Sequence, residues 1–64
     1  MKVYLFKKGR YKKTPEWYWD GNIIEDKPQV VDNTKKAICF NSKAEAYAVG
    51  AMYKRLAGFI GGWR

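Results

Sequence analysis

Up to Phe40 the apolar positions alternate with polar ones or gather in short blocks. From Ser42 onward they recur at spacings of three and four. The first pattern has the period of β-strands and the second that of a helix. Residues 2–8, K-V-Y-L-F-K-K, predict a first strand with Val3 and Leu5 on one face and Tyr4 and Phe6 on the other. Both faces are apolar, so both are expected to be covered, or one is a binding surface. Residues 16–20, E-W-Y-W-D, predict a second strand, with Trp17 and Trp19 facing away from Glu16, Tyr18 and Asp20. Asp20-Gly21-Asn22 has the composition of a hairpin turn. Ile23-Ile24-Glu25 is a short extension, Asp26-Lys27-Pro28 a break, and Gln29–Asp32 a brief strand or a loop. Residues 35–40, K-K-A-I-C-F, predict the third strand.

The helix is expected over residues 42–58. Ser42 and Glu45 have capping-box spacing, in which each side chain satisfies the other's backbone N–H. Gly58 suits the left-handed position that closes a helix. Lys54 and Arg55 would meet the negative end of the dipole. Val49, Met52, Tyr53 and Leu56 fall on one side, with Lys43, Tyr47, Gly50 and Lys54 roughly opposite. Many alanines make the helix slim, so Trp17 and Trp19 are the expected bulk beneath it. The tail, residues 59–64, is too apolar for a free end; Phe59 or Ile60 is expected to fold back, with Trp63 as a further candidate. The prediction is an α+β fold: a three-stranded antiparallel sheet packed on one C-terminal helix, in a single domain spanning residues 1–64.

Composition limits how such a body holds together. A chain of 64 residues has a small core. With one cysteine and no histidine, it cannot form an internal disulfide and lacks the usual zinc ligands. Aromatic bulk, at 17% of the chain, is the remaining staple, with homodimerisation as the other route. Cys39 is expected to be a small buried hydrophobe. No apolar run approaches the roughly 20 residues of a membrane span. The N-terminal residues have too short an apolar centre for a signal peptide. A cytoplasmic location is expected, with no membrane partner.

The formal charge of +7 points to acidic partners. It is concentrated in K-K-G-R-Y-K-K, where Lys7, Lys8, Arg10, Lys12 and Lys13 surround Tyr11. Clustered cations bind phosphates by releasing condensed counterions, and a tyrosine among them can stack on a base. The plainer alternative is a solvated hairpin tip, charged to prevent edge pairing. Lys35 and Lys36, with Lys43, would extend the patch or be ordinary surface lysines. Tyr4, Phe6, Trp17, Tyr18 and Trp19 are either core or a stacking platform. The face left open by the helix carries Tyr4, Phe6 and Tyr18. Tyr47, Gly50, Ala51 and Lys54 are either a partner contact or an exposed helix face. Without histidine, paired carboxylates or a phosphate-cradling loop, no catalytic residues are assigned, and neither cofactor nor metal is expected.

Three strands and a helix behind a basic first hairpin resemble the arm-type DNA-binding domains of integrases and their plant relatives, which implies a sheet placed in the major groove. K-A-I-C-F-N-S-K-A-E-A-Y-A is similar to the strand–turn–helix of RNA–DNA hybrid-binding modules. The small aromatic- and lysine-rich frame also resembles phage and mobile-element products. Two functions follow as expectations. The first is a nucleic-acid-binding module using the basic hairpin. The second is a phage-encoded inhibitor of the anti-CRISPR or host-takeover type, docking on an acidic host protein through Tyr4, Phe6, Tyr18, Tyr47 and Lys54.

Overall fold

A computed structural model describes residues 2–8 and 16–64. Strands β1 (Val3–Lys7), β2 (Trp17–Ile24) and β3 (Lys27–Val31) precede helix α1 (Lys43–Met52), and strand β4 (Ile60–Trp63) follows it. They form a four-stranded sheet in the order β3-β2-β1-β4. The fold is α+β and every named strand pair is antiparallel. The expected count of three strands is corrected to four, and the helix is not the last element.

β1 lies between β2 and β4, which explains its two apolar faces. Val3, Tyr4, Leu5 and Phe6 are all buried. Val3 and Leu5 join Trp19, Phe40, Ala46, Leu56 and Phe59 in the core. β4 pairs with β1 in a continuous register, from Val3 opposite Trp63 to Phe6 opposite Ile60. Backbone bonds between Lys2 and Arg64 carry that pairing one step further. The apolar tail therefore does fold back, as a strand rather than as loose cover. Phe59 is buried, whereas Ile60 and Trp63 remain exposed.

Asp20-Gly21-Asn22 does not turn the chain. β2 runs through it, and the register with β3 shifts between Trp19 and Ile23. Gly21 has φ +97°, which glycine adopts without penalty. Asp20 accepts a hydrogen bond from the Asn22 backbone N–H, and the Trp19 indole N–H donates to the Asn22 carbonyl. The three residues make a bulge that bends the strand. The actual reversal is at Glu25 and Asp26, with φ of 51° and 65°. The break expected at Asp26-Lys27-Pro28 thus falls one residue earlier, and Lys27 and Pro28 open β3.

The strand expected over residues 35–40 is corrected as well. Thr34–Lys36 form a 3-10 turn capped by the Asn33 side chain. The residues after it insert where β1 and β2 diverge. Trp17 faces Lys7, but the Trp19 carbonyl accepts from the Ile38 N–H. Val3 and Phe40 exchange both backbone bonds as an isolated bridge. A β-carbon on Gly21 would lie 3.3 Å from the Ile38 side chain, so the bulge glycine makes room for this wedge. Cys39 is exposed, not buried.

The capping box forms as the spacing predicts. Ser42 Oγ accepts from the Glu45 N–H at 3.1 Å, and a Glu45 carboxylate oxygen accepts from the Asn41 N–H, one residue before the expected partner. The helix ends at Met52, earlier than expected, and Lys54–Leu56 continue as a 3-10 turn. Gly58 does take a positive φ, but it closes this second turn. The inward helix face is Ala46, with Val49 packed against the core. The expected face is corrected in part: Val49 and Leu56 do pack inward, but Met52 is 73% exposed and Tyr53 is also exposed. Small residues set this rotation. A β-carbon on Gly61 would come within 3.1 Å of the Tyr47 ring and 3.5 Å of Ala46. Trp19 lies in the core under α1 as expected, but Trp17 is 39% exposed and is not part of it.

Gly62 faces the other way, and its absent side chain leaves room for Phe6. An added β-carbon would sit 2.8 Å from the Phe6 ring. Gly62→Ala is therefore expected to destabilise the fold by about 1–3 kcal/mol, the cost of overpacking. Gly61→Ala meets an exposed tyrosine that can yield, and should cost less. Urea denaturation of the two variants beside the parent chain checks the order.

Candidate nucleic-acid interface

The candidate phosphate-binding residues begin at the end of β1. Lys7 and Lys8 are exposed there, and Lys7 faces Trp17 across the ladder. The Lys7 ammonium stands 4.8 Å from the centre of the Phe59 ring, a cation–π contact that anchors the side chain on the helix side of the sheet. Arg10, Tyr11, Lys12 and Lys13 lie outside the described residues.

Lys35 and Lys36 reach the same half of the sheet by a route that strand order alone did not suggest. β1 and β3 are not neighbours, because β2 separates them. Yet Val31, before the 3-10 turn, pairs with Tyr18, and Ile38, after it, bonds to Trp19. Tyr18 in turn faces Phe6. Val31, three residues before the turn, therefore lies about two strand spacings, roughly 10 Å, from Phe6. Both lysines are exposed.

Charge pairing divides the cations by type. Among the described residues, the salt bridges are made by arginines alone. Arg55 Nε donates to Asp26 at 2.7 Å, fastening the 3-10 turn after α1 to the β2–β3 reversal. Arg64 donates from Nε and Nη2 to Glu16, the shortest contact being 2.7 Å. These hydrogen bonds hold both guanidinium pKa values above the ordinary arginine range. For Arg64, burial opposes the rise and Coulomb attraction to Glu16 supports it. No described lysine pairs with a described carboxylate.

The face opposite the helix carries Tyr4, Phe6 and Tyr18, as the alternation predicts. Tyr18 packs edge-on to Tyr4, with ring centres 5.9 Å apart, and tilted against Phe6 at 6.1 Å. Tyr4 is 8% exposed and Phe6 only 2%. Arg64 lies across them, its guanidinium carbon 4.1 Å from the centre of the Phe6 ring. This face is consequently packed rather than bare, and Tyr18 is its half-buried member. Arg64 and Glu16 were not candidates from sequence. They stand 48 positions apart, and only strand pairing brings them together.

Tyr47 and Lys54, the remaining partner candidates, line an open groove of about 390 Å³ beside α1 with Gly50 and Ala51. Tyr53, exposed and 6.1 Å from the Trp19 ring centre, lines it too.

Comparison with protein-family models, curated proteins and solved structures found no match.

Arg64 and Glu16 are 31% and 27% exposed, so solvent screens part of their attraction. Glu16→Gln is expected to cost about 0.5–1 kcal/mol, a typical value for a partly exposed ion pair. The loss should shrink as salt is raised. Thermal melts of both chains at two ionic strengths measure it.

Proposed function

We propose that this chain binds nucleic acid through the lysines and arginine that flank and fill the β1–β2 connection. Lys7, Lys8, Arg10, Lys12 and Lys13 contact phosphates, with Tyr11 among them and Lys35 and Lys36 extending the surface. The observation that carries the reading is the division of the cations. The two described arginines are engaged by Asp26 and Glu16, whereas the described lysines have no carboxylate partner. A phosphate backbone is a partner of matching charge whose condensed counterions are released on binding. Two lysines lead into the connection at one end of the sheet, and two more stand exposed on the 3-10 turn that follows β3.

A second reading is favoured by a different observation. Tyr47 and Tyr53 are exposed aromatic residues that line one groove with Lys54. Such residues anchor protein interfaces. In that reading the chain is an inhibitor, of the kind phages encode, that docks on an acidic face of a host protein. A pull-down treated with nuclease separates the two, because a protein partner survives the treatment and a nucleic-acid tether does not.

Alanine at positions 7, 8, 10, 12 and 13 together tests the first reading. The variant is expected to fold, since Lys7 and Lys8 are exposed and charged side chains are rarely part of a core. Its affinity for an oligonucleotide should fall at least tenfold at low salt, and its salt dependence should flatten, as each lost phosphate contact removes about one unit of slope. Unchanged binding in a mobility-shift assay contradicts the proposal.

A further inference from the structure

The groove beside α1 adjoins this basic surface. We infer that it receives one unpaired nucleobase, so that the chain's preferred ligand is a single strand. This inference rests on the nucleic-acid reading above and narrows it.

The groove forms because α1 stops at Met52 and the chain turns away through Lys54–Leu56 before β4 begins. Leu5 and Gly50 lie at its base; a β-carbon on Gly50 would be 3.8 Å from Leu5. Tyr47, Tyr53 and Phe59 supply aromatic lining. Its volume, about 390 Å³, falls within the range of small-molecule sites. Its lining residues include Lys54 and no carboxylate. The Lys7 ammonium stands over Phe59, one of the lining rings. The groove is thus an aromatic recess whose described lining carries a cation and no carboxylate; Asp26, held by Arg55, lines the neighbouring recess beyond Tyr53 and Lys54.

Single-stranded nucleic acid alternates a flat ring with a phosphate, and proteins hold it with aromatic rings beside cations. Duplex DNA hides its ring faces in the stack, so a groove of this kind discriminates between the two forms. Lys7 belongs both to the phosphate-binding cluster and to the Phe59 ring. The backbone can therefore lie along the lysines while one base turns into the recess. A second copy of the chain is a poor occupant, since association would bring together two bodies of charge +7.

The test is fluorescence anisotropy at fixed low salt, using a labelled thymidine oligonucleotide and a duplex of equal length. The unaltered chain should bind the single strand at least fivefold more tightly, the low end of what one stacked base contributes. Tyr53→Leu keeps an apolar side chain against Trp19 but removes the ring, and should erase that preference. Tyr53→Phe should retain it, and the salt slope should be the same in all three. Should Tyr53→Leu fail to fold by near-ultraviolet circular dichroism, Tyr47→Leu replaces it with the same expected loss. Equal affinity for the two forms, or a preference untouched by either leucine variant, overturns the inference and leaves nucleic-acid binding standing. Binding to neither form overturns both and assigns the groove to a polypeptide.

Discussion

The pairing of β4 with β1 is the constraint on which the rest of this small body depends. β1 is buried on both faces from Val3 to Phe6, so it must be a central strand with both edges and both faces occupied. β2 occupies one edge only near Tyr18 and Trp17, and the Phe40 bridge holds the remainder. β4 occupies the other edge without interruption from Val3 to Phe6. Its Gly61-Gly62 step serves both faces at once. On one side α1 approaches through Ala46 and Tyr47, and on the other the Phe6 ring fits under Arg64. Glycine is usually a weak strand residue. Here the missing side chains let two layers meet a single strand.

This arrangement also accounts for how so short a chain packs without disulfides. One core lies between the sheet and α1, built on Val3, Leu5, Trp19 and Phe59. A second, thinner layer lies on the opposite face, where Tyr4, Phe6 and Tyr18 contact one another and Arg64 covers Phe6. Arginine suits that position because its planar head stacks on a ring while its N–H groups bind Glu16. The described lysines, with compact and strongly hydrated heads, are left at the surface. The described arginines thus pair within the chain, and the described lysines are exposed and pair with no described carboxylate. That division of labour is what links the packing to the proposed role.

Local chemistry was legible in the sequence, and long-range geometry much less so. The Ser42–Glu45 cap, the two-faced first strand, the buried Trp19 and the returning tail all follow from residue types at short spacing. The errors arose where one local signal has two structural outcomes. Asp20-Gly21-Asn22 asks for a positive φ, and a bulge meets that demand as well as a turn does. Glu25 and Asp26 reverse the chain without any glycine, held from afar by Arg55. The alternation over residues 35–40 is real, but the wedge between β1 and β2 leaves space for one bridge only. In α1 the inward face was misjudged because side-chain size was weighted above closeness of approach, and alanine and glycine faced the sheet. The candidate lysines were legible as a cluster, while the Arg64–Glu16 clamp depends on a pairing that no short window contains.

Native-state hydrogen exchange, resolved by residue, addresses the role of β4 most directly. The amides of Tyr4, Phe6 and Gly62 join β1 to β4, and they should exchange only on global unfolding, as slowly as the slowest amides in the protein. Rapid exchange of Gly62 and Tyr4, with the amides linking β2 to β3 still protected, would mean that β4 detaches freely and that the sheet does not depend on it.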